Sequence, residues 1–506
     1  MKNKHLFSHG KTYSLWLATS LFLFGSCTVG LHEEGEFNPG VANTTLSAPE
    51  VTARASADGS KTELSWPIVM GAGGYELTLY NINNPDNPQV VVVEKITESS
   101  EEGVPDKVET TVYENYFVDG SNVSVPRYED TNYKLVIKTL GNEKYNNKDS
   151  EPKEVLFTSI VPKLNETPIP AGTDLTQWFA ENQALVDAQT EEFALELTGG
   201  ETYTMSGPID LDNHLFTLRS SDKINLPTIE MEATAGFVTE AGLKIKYVNL
   251  DCTNMTDDKA SIIALNPPPT FAMTVKHYLI DSSTPFAIQN CNIKNLSRRL
   301  FWDSGTKYVP YTILISNSII GLDQAAQKKK SVQTIDLANS FCFNFTLQNS
   351  TVYSTTAGTS FFVQYNGSEK PSNILNGIYP TCTISYLNNT MVNITKGSSG
   401  GSNYMTSYGK LKGQKECTTI VKNNIFVDCS CNRVIRGAFM QGQNGGMIVA
   451  FENNCYWYNG AEPGGTDWDK SDRVSFDPQL TQTTEGYYTV GGVEVKTAGC
   501  GDPRGL

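Results

Sequence analysis

Between residues 245 and 458 one five-residue pattern returns seven times: apolar, any, apolar, any, asparagine. It reads Ile245-x-Tyr247-x-Asn249, Phe286-x-Ile288-x-Asn290, Ile313-x-Ile315-x-Asn317, Phe345-x-Leu347-x-Asn349, Ile384-x-Tyr386-x-Asn388, Thr419-x-Val421-x-Asn423 and Val449-x-Phe451-x-Asn453. Alternation with a period of two marks a strand with one buried face, and parity sets each Asn on that same face. A lone buried amide is costly. Seven in register can bond to one another rung by rung, as asparagine ladders do where strands stack about 4.8 Å apart. Three residues after each Asn comes another apolar side chain: Cys252, Ile293, Ile320, Val352, Met391, Phe426 and Tyr456. The chain therefore turns just past the Asn and starts a second strand. Stacked rungs of this kind make a parallel β-helix, with Asn249, Asn290, Asn317, Asn349, Asn388, Asn423 and Asn453 as its internal ladder.

The ladder spacings are 41, 27, 32, 39, 35 and 30 residues. A rung of three short strands needs only some 20 to 25, so the surplus leaves the helix as loops, where function usually resides. A second polar column, Asn254, Asn295, Ser354, Asn393 and Asp428, lies five residues beyond the ladder. It either faces outward near a turn or forms another internal stack. Alternating pairs before the ladder (Leu195/Leu197, Ile209/Leu211, Phe216/Leu218, Ile229/Met231) give earlier rungs. Thr173 or Asp174 is placed to cap a short helix carrying Leu175, Trp178 and Phe179 on one face, a suitable lid for the first rung. Residues 161–172, rich in proline, read as a linker, and 173–506 as the β-helix. Residues 46–160 alternate in shorter runs separated by turn residues, which predicts an all-β front domain.

Lys2, Lys4 and Lys11 precede an apolar stretch at 15–24 that is too short to span a bilayer. The small residues before Cys27 resemble a bacterial lipoprotein box, which implies a signal peptide at 1–26, lipidation of Cys27 and an acidic tether at 27–45. The expected place is the outer membrane, held by lipid on the cell surface. Net charge is −16. Removing three signal lysines from 39 basic residues leaves 36 against 55 acids, or −19, which argues against nucleic acid as a partner. The excess lies in front: residues 27–160 hold 22 acids and 10 bases, the remainder 33 and 26. Nine cysteines besides Cys27 show no zinc-ligand spacing, and we read them as mostly buried thiols.

Trp66, Tyr75 and Tyr133 fall where fibronectin type III domains carry a core Trp on the second strand, a Tyr on the third and a Tyr opening the sixth. The front domain resembles that family, with the acidic run 98–109 as an extension. Rungs such as Ile315-Ser316-Asn317-Ser318-Ile319-Ile320 resemble the pectate-lyase-like right-handed β-helix superfamily. Phe476-Asp477-Pro478, Gly486 to Val490 and Gly501-Asp502-Pro503-Arg504 are similar to the closing segment of β-helix lipoproteins from polysaccharide-utilisation systems, with Gly505 standing where an aromatic is more usual. Together these imply an all-β chain: a fibronectin-like sandwich, then a right-handed parallel β-helix with a short capping helix.

A polygalacturonase-type hydrolase needs paired acids with neighbouring glycine-flanked histidine, and neither Asp257-Asp258 nor His214 and His277 supply that set. A lyase needs an Arg or Lys base beside a neutralised uronate. Bases recur after the ladder at Arg298, Arg299, 328–330, Lys396, Arg433 and Arg436, and if stacked they form a basic stripe. Asp251, Asp323 and Asp428 stand at unequal offsets, so calcium enters only if the protein is a lyase, and no other cofactor or metal is expected. Loop aromatics (Trp302, Tyr308, Tyr365, Tyr404, Tyr408, Trp457, Trp468) offer sugar-stacking surfaces. Three functions stay open: polysaccharide binding first, β-elimination with Arg299, Arg433 or Arg436 as base second, and a non-glycan adhesin third. Arg298, Arg299, Trp302, Tyr308, Arg433 and Arg436 are the expected ligand contacts, in a monomer or a surface glycan-uptake complex.

Overall fold

The alternating segments become strands. The computed structural model describes residues 42–55, 61–91, 93–95, 111–113, 116–118, 121–266, 277–280, 285–365, 382–396, 405–409, 411, 414, 417–429, 447–463 and 473–506. Cys27, the run 98–109, Tyr404, Arg433, Arg436 and Trp468 lie outside the described residues.

Contacts gather Leu64–Val123 and Tyr133–Leu156 into one compact unit and Phe157–Leu506, with Ala53–Glu63 and Ser124–Asn132, into another. In the first, Gly74–Asn81 pairs antiparallel with Asn132–Leu140, Leu77 lying opposite Ile137. Gln89–Val90 and Tyr116–Val118 also pair with Gly74–Asn81, both antiparallel. Trp66, Tyr75 and Tyr133 are all buried there. The Trp66 and Tyr75 rings meet edge to face at 5.3 Å, and Val69 N donates to the Tyr75 hydroxyl at 2.7 Å. Thr52–Ala55, Lys61–Ser65 and Asn122–Pro126 make a separate three-stranded sheet.

The second unit is a parallel β-helix. Among the described residues its rungs build three parallel sheets, of nine, nine and seven strands. The first sheet runs from Phe193–Leu197 to Ile448–Glu452 and carries the apolar pairs of the repeat. Phe345, Leu347, Ile384, Tyr386 and Val421 are sealed inside. The second sheet stacks Thr202–Met205, Thr228–Met231, Asn249–Asp251, Asn292–Leu296, Ile319–Leu322, Thr351–Ser354, Thr390–Val392, Ile425–Val427 and Cys455–Trp457. The apolar residues three past each Asn point inward from it, Ile293, Ile320, Val352, Met391 and Phe426 all being buried. The third sheet runs from Pro208–Asp210 to Thr406–Ser407.

The recurrent asparagines do not share the buried face. Asn290, Asn317, Asn349, Asn388, Asn423 and Asn453 have φ between 49° and 56°, the left-handed conformation, and form the corner between the first and second sheets. Counting parity through them fails because the strand ends there. Asn suits the corner because its short amide tolerates left-handed backbone, which costs most L-residues about 1–2 kcal/mol. The corner amides still join along the axis. Asn388 donates to Asn349, Asn423 to Asn388 and Asn453 to Asn423, each at 2.9 Å. Asn249 is not in this column. Ile245 registers with Ile288, so Tyr247, with φ 57°, takes the corner, and Asn249 begins the next strand.

The buried polar ladder sits one residue later, at Cys291, Ser318, Ser350, Asn389, Asn424 and Asn454, none of which is exposed. Each backbone N–H donates to the side chain one rung on: Cys291 to Ser318, Ser318 to Ser350, Ser350 to Asn389, Asn389 to Asn424 and Asn424 to Asn454, at 3.0–3.1 Å. Nδ2 of Asn389, Asn424 and Asn454 returns to the carbonyls of Leu347, Tyr386 and Val421. The amides are thereby satisfied within the interior, as buried polar groups require.

Leu175–Glu181 forms the capping helix, with the Asp174 side chain accepting from Thr176 N and with Leu175 and Phe179 buried. At the other end of the chain the hairpin Leu480–Thr484/Tyr487–Val490, the helix Val493–Thr497 and the turn Pro503–Gly505 fold back over the second sheet. Val490, Val495 and Cys500 pack with Ile425 and Cys455, while Leu480 and Tyr488 pack with Ile319, Tyr353 and Val392. Asp502 accepts from Thr351 Oγ1 at 2.7 Å, and Arg504 donates to the carbonyls of Asn317 and Ser318. Gly505 is buried where an added Cβ would stand 2.3 Å from the Tyr488 carbonyl oxygen, which accounts for the absence of a larger residue.

Candidate functional site

The outer face of the second sheet changes character along the axis. One outward column, in rung order, reads Thr202, Thr228, Asn249, Asn292, Ile319, Thr351, Thr390, Ile425 and Cys455. From Ile319 onward the returning C-terminal segment covers it. Before Ile319 it is open and polar.

Where cover gives way to open sheet, a cleft of about 290 Å³ forms. Its floor includes Asn249, Asp251, Asn292 and Lys294, and its wall includes Tyr353, Glu485 and Tyr487. Strand parity presents the floor: Leu250 and Ile293 turn into the core, so their neighbours turn out. The two amides are pre-aligned. Asn292 Nδ2 donates to Asn249 Oδ1 at 2.8 Å, and Asn249 Nδ2 donates to the Leu226 carbonyl at 3.3 Å. Asp251 accepts from Thr253 N at 3.0 Å. Lys294 is exposed and has no ion-pair partner among the described residues. Burial, with the Glu485 carboxylate adding to it, raises the Tyr353 phenol above its usual range. Tyr487 is 44% exposed at the rim. Acceptors, donors, one ammonium and an aromatic ring thus converge on one concave surface, the equipment for holding a polyhydroxylated ligand.

The residues singled out by sequence are placed differently. Arg298 is buried, and its guanidinium is spent on the carbonyls of Thr256, Asp257 and Ser297. Arg299 donates to Asp336 Oδ2 and to the Asp258 carbonyl, both at 2.8 Å, and lies 4.4 Å from the Trp302 ring. That ring face is therefore taken by an arginine. Tyr308 is fully buried beside Tyr278, with its hydroxyl donating to the Asn266 carbonyl, so it offers no stacking surface. Tyr365 and Tyr408 are likewise interior.

The basic stripe is largely drawn into ion pairs where it is described, with Lys328 and Lys329 left exposed. Arg299 pairs with Asp336, Lys330 with Asp258 and Lys396 with Asp428, at 2.8–2.9 Å. The acids considered for calcium have separate duties. Asp323 caps the helix Gln324–Lys330, Asp428 pairs with Lys396, and Asp251 is in the cleft. Among the described residues no three His, Cys, Asp or Glu converge on a metal position. Behind Trp302, Asp303 accepts from Gly305 N and Asn339 N. Burial pushes its carboxyl up to about 7, against those two donors, with Asp336 adding to the rise. Asp303 clamps a loop and does not reach the cleft lining.

Sequence reasoning missed the cleft because it followed inward positions. The signal was in the outward ones, where Thr228, Asn249 and Asn292 give way to Ile319.

Two family models match the chain, each described only as a domain of unknown function: DUF4992 over residues 1–109 and 103–200, and DUF4957 over residues 201–355. No curated protein matches. Among solved structures the chain is similar to a family 28 exopolygalacturonase of Yersinia enterocolitica, at 9% identity and a TM-score of 0.22, over 82% of this chain and 97% of that one. A superposition that loose transfers no residue.

Proposed function

We propose that this protein is a lipid-anchored protein of the outer-membrane surface whose β-helix binds a polysaccharide, with the fibronectin-like front module as a spacer. The cleft on the second sheet carries the reading. Its paired amides, two carboxylates, one ammonium and rim tyrosine match a ligand made of hydroxyl groups and ring oxygens. The signal-like segment before Cys27 supports the anchor, and the excess of acids argues against nucleic acid.

The test is affinity electrophoresis on a panel of neutral and acidic polysaccharides, read beside ultraviolet absorbance in the unsaturated-uronate band. Retardation without new absorbance is expected. A rise in absorbance would replace binding with β-elimination. Absence of retardation on every member would remove the polysaccharide reading. For the anchor, mass spectrometry of the membrane-extracted protein should find acyl chains on Cys27, lost in Cys27→Ala.

A further inference from the structure

The cleft is closed at one end of the solenoid axis and open at the other. Thr228, Asn249 and Asn292 lie on successive rungs, and the next position along that line is Ile319. The hairpin turn rests directly on Ile319: Gly486 has φ +80°, and a Cβ there would come within 2.5 Å of Ile319 Cγ2. A side chain at Gly486 would lift the turn, so glycine keeps the wall seated. A ligand lying along the amide line therefore runs into Glu485 and Tyr487 on one side and leaves freely over Thr228 on the other. The volume, about 290 Å³, is at the lower end of small-ligand sites, enough for a short piece of a polymer. Charge narrows the choice further. Among the described residues the lining has two carboxylates, Asp251 and Glu485, against one ammonium, Lys294, and the exposed Glu230 registers beside Asp251 on the open side. A polyuronate would bring one carboxylate per sugar into that field.

Resting on the polysaccharide reading above, we infer that the cleft holds the terminal sugars of an uncharged glycan chain and excludes both chain interiors and polyuronates. The hairpin acts as a stop, the amide line orients the last residues, and the carboxylates accept from vicinal hydroxyls.

The experiment is calorimetric titration of the full chain with neutral gluco-, manno-, galacto- and xylo-oligosaccharides and with oligogalacturonates of matched length. It is followed by polymers of the best-bound sugar at increasing length and equal mass. An end-binding site counts chains, so a tenfold longer polymer should bind about tenfold more weakly per unit mass. Affinity per unit mass that stays constant with length would overturn the chain-end inference while leaving glycan binding intact. Tighter binding of oligogalacturonates would overturn the charge argument in the same way. Silence across the panel would remove the polysaccharide reading itself, and the inference with it. The variant Glu485→Gln, which keeps the acceptor beside Tyr353, should raise oligogalacturonate affinity about threefold or more. No change there would also count against the charge argument.

Discussion

Replacing Asn424 by alanine cuts the buried ladder at its best-connected amide. Asn424 Oδ1 accepts from Asn389 N at 3.0 Å and from Asn389 Nδ2 at 2.9 Å, while its own Nδ2 donates to the Tyr386 carbonyl at 2.8 Å. Neither residue is exposed, so water does not replace what is lost. The Asn389 N–H is stranded, and the Tyr386 carbonyl, Asn389 Nδ2 and Asn454 Oδ1 each lose one bond. A stranded buried group costs about 1–3 kcal/mol, and the small cavity left by the amide adds to that. The expected loss is roughly 3–5 kcal/mol for Asn424→Ala. The neighbouring Asn423→Gly is the control. It occupies a half-buried corner at φ 55°, which glycine adopts freely, and gives up only exchangeable amide bonds to Asn388 and Asn453. Its expected cost is about 0.5–1 kcal/mol. Urea unfolding followed by circular dichroism reads the difference as a midpoint shift of roughly 1 M for the first variant and a fraction of that for the second. Equal shifts, or a larger one for Asn423→Gly, would refute the assignment of the load to the inner column.

Asp303 gives a pH signature. Its folded carboxyl titrates near 7, above the unfolded value, so between about pH 4 and 7 the folded chain holds a proton that the unfolded chain has released. Its contribution is complete below pH 4 and falls by up to about 1.4 kcal/mol per unit as pH rises towards 7; stability curves of Asp303→Asn should lack that slope. The eight described cysteines are all buried, and burial pushes thiols such as Cys291 and Cys342 up to about 12. An aromatic disulfide reagent should leave all eight unlabelled in the native protein and modify them on unfolding, as mass spectrometry would count. Arg504→Ala removes donors from the carbonyls of Asn317 and Ser318 and from Asp502, costing about 1–2 kcal/mol. Limited proteolysis should then cut the C-terminal segment first. Lys294→Ala removes the one cation among the described residues of the cleft lining and should change glycan affinity without moving the unfolding midpoint.

The repeat was legible because its apolar members obey parity. Phe345 and Leu347, or Ile384 and Tyr386, need no partner but one another to reveal an inner face. The corners were harder. Asn at position five looked like part of the strand because nothing in a one-dimensional pattern distinguishes an extended amide from a left-handed one. Tyr247 in a corner then hid the register of its rung, and Asn249 was drawn into the wrong column. The neighbouring Asn389, Asn424 and Asn454 share their ladder with serine and cysteine, so no single residue type marked it. Arg298 and Tyr308 read as available because their partners, the carbonyls of Thr256, Asp257 and Asn266, belong to no side-chain pattern. The cleft requires the returning hairpin, whose docking place some 130 to 190 residues upstream no local signal gives.

That return also dictates an order of assembly. Arg504 reaches back 187 positions to Asn317, and Asp502 reaches 151 to Thr351. A chain emerging from its N-terminus can stack rungs as they arrive, but the flank spanning Ile319 to Cys455 stays bare until residues 480–505 have followed. During that interval a second copy could dock there through its own uncovered flank. The tail thus serves as a timed seal, and nascent chains shortened by as little as the last turn should pair or aggregate rather than remain dispersed.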